Sequence, residues 1–308
     1  MKTLFLGAGA VSEVLGMREC IEVMDGCLRA MARGEAGFPP RFAMPHPSRR
    51  GALGMMPGYL KREGVLGLKA TSVFPGNAGT ITRVRTGAAS AVATRALARK
   101  DSRVLAILGS GTQALSHPEG MEEAMPGLSA VRVWSRTQAN AKRFAGSARG
   151  RGVDAEAFEG AAEAVEGADV VCTVTGSTSP VLLGRWLGPG AHVNAAGASR
   201  PPARELDSDA VKMSRLYVDS RESARLEADD YLVPLREGAI GEGHIVGEIG
   251  EVLEGTAPGR GADSDVTVFK SLGLAIEDLA AANFAYRRAV ELGLGTALEF
   301  GSEREGSG

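Results

Sequence analysis

Cysteine is scarce in this chain of 308 residues. Cys20, Cys27 and Cys172 are the three present, and no two share a C-x-x-C spacing. That excludes a disulfide framework and a cysteine zinc site, and it predicts reduced, buried thiols. No apolar run reaches the ~20 residues that a membrane-spanning helix needs, so no membrane partner is expected. An excess of one charge is missing too. The net charge is −2, without the basic stripe that nucleic acid requires, so nucleic acid is not expected as a partner. Four histidines occur, none with a second ligand at metal spacing, and no metal site is expected. The N-terminal MKTLFLGAGA imitates a signal peptide, but it has a single Lys, and Gly7 interrupts the apolar run after Leu6. The reading is a cytoplasmic protein.

Glycine, by contrast, is abundant. Forty-two glycines among Ala and Val runs suit an α/β protein with tight turns. Two stretches place Gly-x-Gly after a short apolar run: FLGAGAV (5–11) and AILGSGTQA (106–114). Both lack the third Gly of the dinucleotide fingerprint, with Ser12 and Ala114 in its place. Such a turn works only between a strand and a helix inside a βαβ series. The first Gly allows the turn, the second admits phosphate to the backbone N–H groups, and the helix N-terminus adds partial positive charge.

Residues 12–32 carry Val14, Leu15, Ile21, Met24, Leu28 and Met31 at helical spacing. They predict an amphipathic helix capped by Ser12, with Gly16 as a point of division. PPRFAMPHP (39–47) is extended, and GALGMMPGYL and VLGLKATSVF predict two strands of a small sheet. The Ala-rich stretch 85–100 predicts a helix. Strands then alternate with helices: RVLAILG (103–109), AVRVWSR (130–136), ADVVCTVT (168–175), HVNAAGA (192–198) and RLYVDS (215–220). That pattern indicates a doubly wound (Rossmann) parallel sheet. VTVFKSLG predicts a further strand, and IEDLAAANFAYRRAVELG a long helix. The terminal GSEREGSG is expected to fray.

Context separates the two turns. After FLGAGAV and its helix comes Pro39-Pro40-Arg41, not a parallel strand. After AILGSGTQA comes VRVWSR, then three more strands. The phosphate loop is therefore read as Gly109-Ser110-Gly111-Thr112-Gln113, and FLGAGAV as a decoy. The second strand ends Ser135-Arg136-Thr137 and lacks the acid that commonly selects NAD by its ribose hydroxyl, so NADPH is preferred, with NADH as the alternative. Thr175 and Gly197, at the ends of the third and fourth strands, are further candidate cofactor contacts. Pro118 would fall inside the helix after the turn, and predicts a bend or a late start.

The order of motifs resembles the ornithine cyclodeaminase/mu-crystallin family. The matching pieces are PPRF, GLKATSVFPGN, RTGAASAVATRALAR, VLAILGSGTQALSH, VRVWSRT, GAHVNAAGASRPPARELD, YVDSRE, HIVGEIGEVLEG and TVFKSLGLAIEDLAAA. The resemblance implies a homodimer in which a smaller α+β substrate and dimerisation domain (1–98 and 271–308) joins a Rossmann domain (99–270). It implies a small imino or amino acid as substrate, its carboxylate held by Arg41, Lys69 and Arg85 with Arg200 nearby. Charge-assisted, bidentate partners suit a carboxylate. Lys69 is the candidate proton donor if burial and the two arginines lower its pKa.

Two departures bear on the reaction. Family cyclodeaminases carry Asp where this chain has Ser199 in Gly197-Ala198-Ser199-Arg200-Pro201, and a serine cannot replace a carboxylate base. The form resembles the mu-crystallin branch, which reduces cyclic ketimine carboxylates; Ser199 is then a candidate catalytic contact. The family's β-hairpin between the Lys strand and the Arg-Thr helix is also missing near residues 75–80, which predicts a shortened sheet. The leading expectation is an NAD(P)H-dependent imine reductase. The alternatives are ornithine cyclodeamination with bound NAD, and a nucleotide or ligand binder with an impaired site. His117, His244, Glu248 and Asp278 are assigned hydrogen-bonding or packing roles.

Overall fold

The computed structural model describes residues 2–45, 51–73 and 79–299. The expected fraying of GSEREGSG, the end of PPRFAMPHP and most of the expected deletion segment (74–78) lie outside the described residues.

Strand β1 (Lys2–Phe5) leads through the first glycine turn into a helix, Ala8–Val14, with Gly7 at its N-cap. A second helix, Met17–Ala32, has Gly16 at its N-cap. The expected division at Gly16 is thus present, and the expected Ser12 cap is corrected to Gly7 and Gly16. Ser12 lies inside the first, and the break falls at Gly16, where a helix interior is weakest. The second helix buries Met17, Cys20, Ile21, Met24, Cys27 and Leu28 along one stripe.

An antiparallel sheet follows, made of β2 (Ala36–Gly37), β3 (Phe42–Pro45), β4 (Ala52–Leu60) and β5 (Val65–Val73). β4 is central: it pairs β5 from Ala52↔Val73 to Leu60↔Val65, and β2 and β3 along its other edge. Alternation of side chains gives the sheet two faces. On the inner face a Cβ at Gly58 or Gly67 would lie 3.1 or 2.5 Å from Leu279, so only glycine admits the C-terminal helix this closely. On the outer face Phe42, Met44, Leu53, Tyr59, Leu66 and Leu68 are exposed.

The Ala-rich helix starts at Thr80 rather than Arg85 and ends at Leu97. Ala88, Ala89, Ala91 and Ala93 are fully buried on it, because elements pack on several of its sides.

The large sheet contains β6 (Val104–Leu108), β7 (Ala130–Trp134), β8 (Ala155–Ala157), β9 (Val170–Thr173), β10 (His192–Ala195), β11 (Arg215–Val218), β12 (Ile245–Glu248) and β13 (Thr267–Lys270). Its order is β12-β11-β13-β10-β9-β6-β7-β8, parallel throughout. Helices cover both faces, giving a doubly wound sheet beside a smaller antiparallel one. The strand order reverses at β6, between β7 and β9, and ligands of such sheets bind at that switch point. β14 (Thr296–Glu299) follows the C-terminal helix (Ala275–Leu292) and pairs antiparallel with β1, so the first glycine turn lies outside the large sheet. The helix after the second turn starts late, as Pro118 predicts: a 3₁₀ turn spans Thr112–Ser116, and Pro118 occupies the first turn of the helix His117–Ala124. There its missing N–H costs nothing.

Candidate active site

A cleft of about 680 Å³ opens at the switch point, lined by Gly109, Ser110, Gly111, Ser135, Arg136, Thr137, Asn140 and Thr175 among others. Gly109 has φ +127, and a Cβ there would lie 2.8 Å from the Val174 carbonyl oxygen, so the turn crosses the end of β9 too closely for any side chain. The Ser110 and Ser135 hydroxyls are hydrogen-bonded at 2.8 Å, joining the turn to the end of β7. Arg136 and Thr137 are exposed at the cleft rim.

The loops beyond β9 and β10 are tied together by a fully buried carboxylate, Glu205. It accepts from Thr173 Oγ1 (3.0 Å), Thr175 N (2.6 Å), Thr175 Oγ1 (2.8 Å), Gly197 N (2.8 Å) and Ala198 N (3.1 Å). Burial raises its pKa against the pull of Lys270. Gly197 does not line the cleft. It packs on the loop: a Cβ there would lie 2.2 Å from Thr175 N.

A second pocket, about 880 Å³, is lined by Arg41, Lys69, Thr82, Arg85, Thr112, Gln113, Ser199, Arg200 and Glu227 among others. The turn 109–113 is therefore shared, its first three residues facing one space and its last two the other. Gln113 is fixed from behind. Its carbonyl accepts from Ser116 Oγ (3.2 Å) and lies 2.8 Å from His117 Nδ1, while His117 Nε2 is 3.1 Å from Ser90 Oγ. Burial pushes His117 down to about 4, so it stays neutral in this role. His244 Nε2 bonds the Val211 carbonyl, and Glu248 accepts from Arg221 N.

All three expected carboxylate-binding cations reach this pocket, and each meets a carboxylate of the protein. Arg41 Nε is 2.8 Å from Glu227 Oε2, and its Nη2 donates to the carbonyls of Leu272 and Gly273 at 3.0 and 3.2 Å. Those two residues donate their amides to the buried Asp219, at 2.6 and 2.7 Å. Lys69 Nζ is 2.7 Å from Asp278 Oδ1 and donates to Thr82 Oγ1 at 3.0 Å; Thr82 Oγ1 donates onward to Asp278 at 3.1 Å. Arg85 Nη1 donates to Glu277 Oε2 at 2.7 Å, and its Nε is 3.2 Å from Asp278 Oδ2.

The charges shift one another. Burial lowers the Lys69 pKa and Arg85 adds to this, while Asp278 opposes it. Burial acts to raise Asp278, but Arg85, Lys69 and the Thr82 hydrogen bond outweigh it and hold the carboxyl below its ordinary range. Glu277 is pushed up to about 7 by burial, against Arg85, with Asp219 and Asp278 adding to the rise.

The residues that sequence reasoning missed are thus acids. Glu277, Glu227, Asp219 and Glu205 are not singled out by the sequence, and Asp278 is assigned only a hydrogen-bonding or packing role there, without its partners. Glu277 and Asp278 stand in the first turn of a helix, where acids commonly complement the helix dipole. Nothing local points from there to a lysine some two hundred positions earlier. Among the described residues no group of three His, Cys, Asp or Glu could hold a metal ion, and no helix is long and apolar enough to cross a membrane.

The ornithine cyclodeaminase/mu-crystallin family pattern matches in two pieces, residues 1–80 and 76–293, which meet where the hairpin was expected to be missing. The chain is 39% identical to the ketimine reductase mu-crystallin of Mus musculus, over 92% of this chain and 96% of that protein. It resembles the structure of Thermococcus litoralis Delta(1)-pyrroline-2-carboxylate reductase in complex with NADH and L-proline, with a TM-score of 0.91 and 34% identity, over 96% of this chain and 99% of that one. An archaeal alanine dehydrogenase dimer with bound NAD gives a TM-score of 0.90 and 31% identity, over 97% and 100%.

Proposed function

Because the chain belongs to the ornithine cyclodeaminase/mu-crystallin family, we propose that it is an imine reductase that uses NADPH to reduce a small cyclic imino acid, a ketimine carboxylate. One observation carries the reading. Arg41, Lys69, Arg85 and the neutral Ser199 converge on a pocket that shares the 109–113 turn with the cleft at the switch point.

The cleft fits a dinucleotide. Its turn needs a side-chain-free Gly109, and Gly111 begins a helical turn whose N–H groups suit phosphate. Gly109, Ser110 and Gly111 would hold the pyrophosphate, and Ser135, Arg136 and Thr137 a ribose 2′-phosphate. The nicotinamide end would lie by Thr112, Gln113 and Thr175, with Gly197 shaping the Thr175 loop. When bound, the reduced cofactor supplies a hydride for the C=N carbon.

The protein's own residues do the rest. With Arg41 Nη2 given to the 272–273 carbonyls and Arg85 Nη1 to Glu277, the remaining outer nitrogens, Arg41 Nη1 and Arg85 Nη2, would meet the substrate carboxylate. Lys69 donates a proton to the imine nitrogen. Ser199 contributes a hydroxyl and no base, which suits reduction of a C=N bond already present. Cyclodeamination would need a carboxylate there.

The proposal includes a homodimer, supported by the largely apolar outer face of β3, β4 and β5 and by the dimeric archaeal relative. It includes a cytoplasmic location, which three buried free thiols suit. The test is oxidation of NADPH with pyrroline-2-carboxylate and piperideine-2-carboxylate. Turnover supports the reading. Tight NADPH binding without turnover refutes it in favour of a binding protein, and release of ammonia from ornithine refutes it in favour of a cyclodeaminase.

A further inference from the structure

We propose that Asp278 is the positioning residue of the substrate pocket: it holds Lys69 in place and charged as the proton donor, and it fixes Arg85 with its second oxygen. The inference rests on the reading of the pocket as an imine-reducing site.

The geometry carries it. A lysine is a point charge on a flexible stem, and its aim is set by what its ammonium touches. Lys69 leaves β5 with two partners among the described residues, Asp278 Oδ1 at 2.7 Å and Thr82 Oγ1 at 3.0 Å. Thr82 in turn donates to that same oxygen, so Lys69, Thr82 and Asp278 form a closed triangle. Oδ2 of the same carboxylate lies 3.2 Å from Arg85 Nε. One side chain thereby spaces the proposed proton donor from the proposed carboxylate anchor. Asp278 does not itself line the pocket, so it acts through the two cations.

Charge gives the same assignment. The groups facing Lys69 are Arg85 and Thr82 from the Ala-rich helix and Glu277 and Asp278 from the C-terminal helix; Arg41, Glu227 and Arg200 face it across the pocket. Burial and Arg85 favour the neutral amine, and a neutral amine has no proton to give. Asp278 is the carboxylate in contact that counters them. With Ser199 in place of an acid, the carboxyl among the residues lining this pocket is Glu227, and it is paired with Arg41 at 2.8 Å. A proton passed from Nζ to the imine nitrogen would leave a neutral amine, which Asp278 helps to recharge from water.

The test compares wild type with Asp278→Asn and Asp278→Glu. The first readout needs no turnover: the pH dependence of Lys69 acetylation, followed by peptide mass spectrometry on the nucleotide-free protein. Removing an opposite charge in contact should lower the Lys69 midpoint by about 1–3 units in Asp278→Asn. Asp278→Glu, which keeps the charge but displaces it, should hold the midpoint near wild type. The second readout is kcat and its pH profile. Asp278→Asn should lose about tenfold or more in kcat, with the alkaline limb moved to lower pH, and NADPH affinity should be unchanged. If Asp278→Asn does not fold, Asp278→Glu decides: a wild-type midpoint with a lowered kcat supports the inference, and a midpoint moved down overturns it. An unmoved Lys69 midpoint in folded Asp278→Asn also overturns it. Absence of imine turnover in wild type refutes the reading of function instead, and the acetylation comparison still decides whether Asp278 holds the charge of Lys69.

Discussion

Replacement of Glu205 by Ala should loosen the cofactor cleft from beneath. Its carboxylate accepts five hydrogen bonds, three from main-chain amides and two from threonine hydroxyls. Hydroxyls can rotate to other partners, but the amides of Thr175, Gly197 and Ala198 cannot. A stranded buried donor costs about 1–3 kcal/mol, so Glu205→Ala should cost at least about 3 kcal/mol. Glu205→Gln keeps one acceptor oxygen. In its cheaper orientation it strands only the Thr175 amide, and it removes a buried charge that is itself unfavourable, so about 1–3 kcal/mol is an upper range. At about 2–4 °C per kcal/mol, the alanine variant should melt about 6–12 °C below wild type and the glutamine variant between the two. The same loops carry Thr175 and border the proposed nicotinamide end, so under that reading nicotinamide-nucleotide affinity should fall in the same order. Thermal melts and nucleotide titration by fluorescence measure both. An alanine variant that melts within about 2 °C of wild type and binds NADPH as tightly would refute the clasp.

Three further outcomes are expected. Gly109→Ala puts a side chain at φ +127 and 2.8 Å from a carbonyl oxygen, so it should cost about 1–3 kcal/mol and weaken nucleotide binding, as a titration would show. Glu277 has a folded pKa of about 7 against an ordinary 4.5; its native state holds the proton longer, so the stability it contributes is full below pH 4.5 and is lost, by about 3 kcal/mol, as pH rises through 7. Glu277→Gln should flatten that part of the stability–pH curve in urea titrations, and an unchanged curve would show another group responsible. Leu66→Glu combined with Leu68→Glu should convert the proposed dimer to a folded monomer in sedimentation, since both side chains project from the outer face of β5.

The large sheet was legible because each expected strand is a short apolar run set off by a turn or a helix. β8 (Ala-Glu-Ala) and β12 (Ile-Val-Gly-Glu) escaped because three or four residues carry no period, and their pairing along β7 and β11 makes them strands. β13 was legible as a strand but not in its place between β10 and β11, because local residues do not encode the order of parallel strands. The choice between the glycine turns was legible because it depends on the strands and helices downstream of each, and chain order records those. The cations were legible only through resemblance. Taken singly, Arg85 looks like a surface charge, whereas it is buried against Glu277 and Asp278. The acids were silent because each binds across the fold, and their local setting has an ordinary explanation.

Those acids give Ser199 its meaning. The pocket brings together Arg41, Lys69 and Arg85, and Glu227, Asp278 and Glu277 already stand against them. Arg200 lines the pocket as a fourth cation, and burial raises Glu277 to about 7, so the cations outnumber the carboxylates before any substrate arrives. In the proposed function an incoming carboxylate would meet that surplus and the guanidinium N–H groups that the protein's own acceptors leave free. Under that condition a further carboxylate at position 199 would repel the substrate anion and compete for the same nitrogens. A serine there adds no charge beside Arg200 and, in the proposed function, leaves proton donation to Lys69. In the proposed reductase the hydroxyl at position 199 and the acidic pair of the C-terminal helix divide the work: the pair holds Lys69 and Arg85, and a serine without base character suits reducing an imine better than making one.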